Sequence, residues 1–123
     1  MTTGWNGRFD VVAKDGGKVA YTFNQGLLDY DCFGIPKGAP NKDLAMKFLA
    51  EISKPSYQAE FTKYITYGPT NKKAYELGTI DAAYAKRLPS SPENAAKQLP
   101  ISLDWYIKNE EKAAALYQNM LTE

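Results

Sequence analysis

Residues 29–38 read DYDCFGIPKG, and residues 67–71 read YGPTN. The first of these stretches decides the predicted fold. Its run Tyr30–Ile35 alternates between two sets of side chains, which predicts a short strand. Pro36 ends that strand because proline has no amide hydrogen for a sheet. The sequence therefore predicts that Asp29 and Asp31 lie on or beside a strand that is followed by a helix.

Helices predominate after residue 40. We predict a first helix over 41–54, with the side chain of Asn41 capping its first amides. A second helix over 56–66 is capped by Ser56. The apolar residues of the first helix recur at helical spacing, which predicts one buried face. They are Leu44, Ala45, Phe48, Leu49 and Ile52.

The remaining helices are shorter, apart from the last. We predict helical turns over 71–77, 81–88 and 93–97, with Asn71 capping the first of them and Gly78 ending it. A closing helix, or a broken pair of helices, spans 102–121. Its predicted buried positions are Leu103, Ile107, Ala114, Leu116 and Leu121.

Few strands accompany these helices. Val19, Tyr21 and Phe23 alternate with their neighbours and predict a strand over 19–23, and Phe9–Ala13 is compatible with strand or helix. The strands over 19–23 and 27–35 either form a hairpin or lie in two different sheets. The fold class is therefore α/β with a helical majority. Since a sheet of two or three strands is marginal alone, the 123 residues are predicted to form a single partial domain of something larger.

Composition excludes several kinds of function. The chain has no histidine and one cysteine, which removes most zinc sites, the serine and cysteine triads and an internal disulfide. Cys32 is predicted to be a small core residue. A net charge of +1 gives no sign of a nucleic-acid surface. We predict no catalytic residue, no metal site and no cofactor. Residues 1–8 do not form a signal peptide, which by itself favours a cytoplasmic location.

Several short motifs occur in a characteristic order: WNGR at 5–8, IPKG at 35–38, AMKFL at 45–49 and YGPTN at 67–71. With Asp31, Trp105 and Asn109, they resemble the C-terminal part of periplasmic solute-binding proteins of ABC importers, in the spermidine/putrescine-binding branch. The resemblance implies a fragment of a two-lobed type II periplasmic binding protein fold, about three times longer when complete. It also implies a periplasmic location and, for the longer protein, the membrane subunits of an importer as partners.

The resemblance further implies a ligand-binding set of Trp5, Asp31 and Tyr67. In polyamine-binding members, an acid on the strand before the Ile-Pro element binds an amino group, and aromatic residues line the cleft. Asp29 stands where those members often have an aromatic residue. The chemistry agrees, because a buried ammonium needs a carboxylate and gains from aromatic faces. The implied ligand is a small polyamine-like cation, and the missing contacts would come from the rest of the protein.

Two other functions remain open from the residues alone. The chain could be a small, non-enzymatic interaction domain whose helical face binds a partner, or could associate with itself. Asp29 and Asp31 lie on the same face of the predicted strand and could act as an acid/base pair. Because no nucleophile, metal ligand set or phosphate loop accompanies them, we predict that the chain is not an enzyme.

Overall fold

The computed structural model describes residues 2–122. Helices predominate, and two short strands form the sheet. In chain order the elements are α1 (Asn6–Lys14), β1 (Leu27–Leu28), α2 (Lys42–Ile52), α3 (Pro55–Phe61), a 3₁₀ helix (Lys72–Glu76), α4 (Ala82–Ala85), α5 (Pro92–Ala95), β2 (Leu99–Pro100) and α6 (Leu103–Thr122).

The sheet joins distant parts of the chain. β1 pairs with β2 in parallel, with Leu27 opposite Leu99. The amide of Leu99 donates to the carbonyl of Gly26 at 2.8 Å, and the amide of Ile101 donates to that of Leu28 at 3.0 Å. Parallel strands require a long crossover, so this pairing excludes the predicted hairpin. The strand β2 has no counterpart in the sequence prediction.

The strand predicted over 19–23 is wrong, and the strand predicted over 27–35 forms only at β1, Leu27–Leu28, and does not continue through residues 29–35. Both stretches lack regular secondary structure, and the side chain of Phe33 is 76% exposed. An extended segment becomes a strand only when a neighbour accepts its backbone hydrogen bonds. Within residues 2–122 the sheet has two strands, so nothing pairs with 29–35. Cys32 is exposed on this segment, contrary to its predicted place in the core.

The hydrophobic core is small and lies where α3, the 3₁₀ helix and residues 80–88 meet. It consists of Ala59, Ala74, Ile80 and Leu88, each less than 9% exposed. Tyr75, Tyr84 and Ala85 pack around it. The two alanines let α3 and the 3₁₀ helix lie close together. This core holds together the part of the chain that carries the YGPTN motif.

The caps agree with the sequence in part. The side chain of Asn71 accepts from the amide of Lys73, as predicted, and Gly78 has the positive φ that follows a helix end. Asn41 precedes α2 but its side chain makes no capping hydrogen bond. α3 begins at Pro55, with Lys54 rather than Ser56 at the cap position, because proline is already set for the first turn.

The closing helix is present, but its predicted buried residues are exposed. All five are in contact with solvent, and Ile107 is 80% exposed. On α2, Leu44 and Phe48 are exposed as well, while Ala45, Leu49 and Ile52 are half-buried. The helical periodicity is correct, but no element of the described chain covers these faces. No helix among residues 2–122 combines the length and apolar character that crossing a membrane requires.

Candidate functional site

The first turn of α1 lies directly on the YGPTN motif. Trp5 is the residue before α1, and its carbonyl accepts from the amide of Arg8 at 2.9 Å. Gly7 is buried against residues 65–67. A Cβ at Gly7 would lie 2.7 Å from Cε1 of Tyr67 and 3.1 Å from Cγ1 of Ile65, so only glycine permits this approach. Two of the predicted ligand-binding residues, Trp5 and Tyr67, therefore lie on elements that contact each other.

Both aromatic side chains keep access to solvent. Trp5 is 66% exposed, and Tyr67 is half-buried. The segment after Tyr67 is held from its other side, because the hydroxyl of Ser90 donates to the carbonyl of buried Pro69 at 2.7 Å. The Trp5–Tyr67 wall, as we call residues 5–7 and 65–67, thus has a closely packed backbone, an exposed Trp5 and a half-buried Tyr67.

Asp31 lies on a different segment of the chain. It is exposed on the irregular segment 29–36, and within residues 2–122 its side chain makes no hydrogen bond and no ion pair. Asp29 accepts the neighbouring amide of Tyr30 at 2.8 Å. Within residues 2–122 no polar contact links Asp31 to Trp5 or Tyr67, and the three residues stay a predicted ligand-binding set.

A buried carboxylate, which the sequence analysis did not single out, lies behind the wall. Asp10 is 8% exposed. One oxygen accepts from the hydroxyl of Tyr21 at 3.1 Å and pairs with Nη2 of Arg87 at 3.1 Å. The other accepts from the hydroxyl of Thr66. Asp10 therefore connects α1 to three separate parts of the chain.

Asn6 extends this network toward the wall. Its side-chain amide donates to the carbonyl of Thr66 and, at 3.4 Å, to that of Arg87. The guanidinium carbon of Arg87 lies 5.8 Å from the ring centre of Tyr84, a favourable cation–π distance. Asn6 and Asp10 are four residues apart and share one helix face. If the sequence had indicated a helix over 6–14, the polar pair on its inner face would have pointed to this hydrogen-bond network.

The network changes the acidity of its members. Burial tends to raise the pKa of Asp10, but hydrogen bonds from Thr66, Arg87 and Tyr21 outweigh it and hold the pKa below its ordinary value of 3.8. The hydrogen bond to Asp10 raises the pKa of Arg87. Burial and the Asp10 charge raise that of Tyr21. Near neutral pH the network therefore holds a charged pair.

Two cavities adjoin the network, and neither includes Trp5, Asp31 or Tyr67. One of about 90 Å³ lies beside Asp10 and is bordered by Lys14 and Lys63. The other, of about 330 Å³, is bordered by residues 21–24 and by Lys86, Arg87 and Lys97. No cluster of three or more possible metal ligands occurs among residues 2–122. The arrangement is that of a binding surface with a rigid support.

Comparison with known proteins adds the family. Residues 1–96 match the family described as bacterial extracellular solute-binding protein. The gamma-aminobutyric acid-binding protein of Pseudomonas aeruginosa is 31% identical over 112 residues, which are 91% of this chain and 31% of that protein.

Solved structures agree in fold. An ABC transporter substrate-binding protein from Bradyrhizobium japonicum USDA 110 matches 98% of the chain, with 40% identity and a TM-score of 0.80. The periplasmic binding protein MotA from A. tumefaciens B6, in complex with glucopine, matches 94%, with 37% identity and a TM-score of 0.83. The chain covers 37% and 36% of these structures.

These matches confirm the predicted fold class, a part of the periplasmic binding protein fold with few strands and a helical majority. They also confirm that the chain is not of an enzyme family. They do not extend to the polyamine-binding branch, which stays a prediction. The chain spans about a third of the length of these relatives and belongs to the bacterial extracellular solute-binding protein family.

Proposed function

We propose that the chain is part of the solute-binding component of an ABC importer, located in the periplasm. Its solute is a small cation such as a polyamine, bound in a cleft between two lobes. Residues 1–123 form a single partial domain that supplies Trp5, Asp31 and Tyr67 to this cleft. The other contacts come from the remainder of a longer protein, and the membrane subunits of the importer are its partners.

The observation that carries this proposal is the Trp5–Tyr67 wall. The side chains of Trp5 and Tyr67 both reach solvent, although the elements that carry them are in close contact at Gly7. Aromatic faces attract an ammonium by about 0.5–2 kcal/mol each and shield the methylene groups beside it. Two aromatic rings that both reach solvent, on a closely packed backbone, are well suited to binding an ammonium.

Asp31 would supply the charge. Its carboxylate has no hydrogen-bond or ion-pair partner within residues 2–122. An ammonium that enters a closed cleft loses much of its hydration, so it binds only if a carboxylate replaces the lost water. An exposed carboxylate with no partner of its own fits this requirement.

The relatives support a solute with an ammonium group more broadly than they support a polyamine. The solute named for the Pseudomonas aeruginosa relative, gamma-aminobutyric acid, carries an ammonium at one end and a carboxylate at the other. An ammonium bound at Asp31 is compatible with either solute class. Putrescine, spermidine and gamma-aminobutyric acid are therefore the three solutes to compare.

Calorimetric titration of a longer protein carrying this chain tests the proposal. Asp31→Asn keeps the shape and removes the charge. Because losing one partner of a buried pair costs about 3–5 kcal/mol, the affinity for the preferred solute should fall by about two to three orders of magnitude. Asp29→Asn should have a smaller effect.

Asp15→Asn is the matched control, since Asp15 is an exposed acid at the far end of α1. It should leave the affinity unchanged. Equal binding by Asp31→Asn and the wild type, for all three solutes, would refute the role of Asp31.

A further inference from the structure

We propose that Asp10 is a positioning residue for the Trp5–Tyr67 wall. Its carboxylate does not touch the solute, but it sets the geometry of the surface that binds the solute. This inference rests on the proposed function for its consequence in binding. Its structural part, the placement of the wall, stands separately and can be tested without a solute.

The first step is the number of segments that Asp10 joins. Its two oxygens receive donors from Tyr21, Thr66 and Arg87, which lie in three different stretches of the chain. Asp10 is buried, and Thr66 is 5% exposed. Hydrogen bonds to a charged group are roughly twice as strong as those between neutral groups. The charge of Asp10 thus fixes the inner face of α1 to residue 66.

The second step leads from Asp10 to the wall. Thr66 directly precedes Tyr67, and Asn6 directly follows Trp5. The side chain of Asn6 donates to the carbonyl of Thr66, and the hydroxyl of Thr66 donates to Asp10, so two residues one helical turn apart hold Thr66 at its backbone and at its side chain. Gly7 then lies against the ring of Tyr67. If Asp10 releases Thr66, this contact has to loosen.

The third step is that the role requires charge as well as shape. Asp10→Asn keeps the size of the side chain but replaces one acceptor oxygen by a donor amide. The amide nitrogen then faces either the hydroxyl of Thr66, which would have to accept instead of donate, or Tyr21 and Arg87. In both cases Arg87 loses its ion-pair partner. Tyr21→Phe is a milder change, because it removes one donor and leaves the charged pair intact.

The contact between Gly7 and Tyr67 gives a direct measurement. The α-hydrogen of Gly7 that occupies the Cβ direction points at the Tyr67 ring, so it should show a ring-current shift and a nuclear Overhauser effect to Cε1–H. Both signals are to be compared in the wild type, Asp10→Asn and Tyr21→Phe. Methyl signals of Leu88 report whether the core is intact.

We expect Asp10→Asn to weaken both Gly7 signals while the Leu88 methyls stay in place, and Tyr21→Phe to weaken them less. The control is Glu93→Gln, which removes an exposed ion pair with Lys97 and should leave Gly7 unchanged. If Asp10→Asn unfolds the chain, Tyr21→Phe decides. Unchanged Gly7 signals in a folded variant would overturn the inference.

Binding separates this inference from the proposed function. In the longer protein, Asp10→Asn should lower the affinity for the preferred solute by about 10-fold to 100-fold. This is the loss typical of metal sites when a residue that orients a ligand of the metal is removed. If the Gly7 signals weaken but Asp31→Asn binds like the wild type, the proposed function fails and the positioning role stands. If Asp31→Asn loses binding while Asp10→Asn keeps both the Gly7 signals and the affinity, the positioning role fails alone.

Discussion

The chain contains two regions that differ in how they are stabilised. The compact region, which we define as α1, Tyr21 and residues 55–98, has a buried core and a charged network around the buried Asp10. The outlying segments, defined as residues 29–36 and α6, carry large apolar side chains that face water. Phe33 is 76% exposed and Ile107 is 80% exposed, whereas Leu88 is completely buried.

The difference is visible in the total surface. The chain exposes 10145 Å², while a compact monomer of 13.7 kDa exposes about 6,600 Å². Every buried side-chain nitrogen and oxygen among residues 2–122 nevertheless has a hydrogen-bond partner. The buried polar groups are therefore satisfied within the described residues, and part of the additional surface belongs to residues 29–36 and α6, whose apolar side chains have no cover.

The largest effect on stability is expected in the core of the compact region. Leu88→Ala removes a completely buried side chain, so the free energy of unfolding should fall by about 2–5 kcal/mol. Urea denaturation followed by circular dichroism measures this change. If the free energy of unfolding falls no more than for an exposed substitution such as Ile107→Ala, the burial of Leu88 in the core is contradicted.

Acid should weaken the same region through Asp10. Because the folded pKa of Asp10 is lowered, its stabilisation is complete above the unfolded pKa of about 3.9 and is lost as the pH falls through the folded pKa. Arg87 and Tyr21 bond directly to Asp10, and both have raised pKa values, so they stay protonated over this range. The loss within this network therefore follows the protonation of Asp10.

Asp10→Asn is the test of this dependence. At neutral pH its free energy of unfolding should be lower than that of the wild type by about 1.5–3 kcal/mol, the contribution of a hydrogen bond to a charged group. The difference should shrink below about pH 4. A difference that is constant between pH 7 and pH 3 would contradict a lowered pKa of Asp10.

The same contrast explains which sequence predictions hold. Two signals within one turn of helix, the Asn71 cap and the Gly78 end, are confirmed because their partners lie within a few residues, whereas the caps predicted at Asn41 and Ser56 are wrong. The burial of Leu103, Ile107 and Leu116 is wrong because periodicity identifies an apolar face but not its partner. The strand over 29–35 fails similarly, since a sheet needs a neighbour that the described residues do not supply.

The candidate site shows the same difference between local and distant signals. The resemblance led to Trp5 and Tyr67, whose elements are in contact at Gly7. Asp10 was overlooked because the sequence left open whether 9–13 is strand or helix, and only a helix puts Asn6 and Asp10 on one face. The partners of Asp10, Thr66 and Arg87, are distant in sequence and have no local signal.

The smallest effect is expected in the outlying segments. Ile107→Ala changes an exposed side chain on α6, so the free energy of unfolding of the isolated chain should stay within about 0.5 kcal/mol of the wild type. Denaturation of this variant beside Leu88→Ala measures both ends of the comparison. If Ile107→Ala is strongly destabilising, α6 is already covered, for instance by association of the chain with itself, and sedimentation would reveal the dimer.

The account is tested most directly by calorimetric titration of the isolated 123 residues with putrescine and spermidine. The chain supplies one wall of the proposed cleft, and without closure the ammonium groups keep their water and the attraction of Asp31 is screened. We predict weak binding or none, and a clear gain in a longer protein that carries both lobes. Sub-micromolar affinity of the isolated chain would contradict the claim that the site is shared with the rest of the protein.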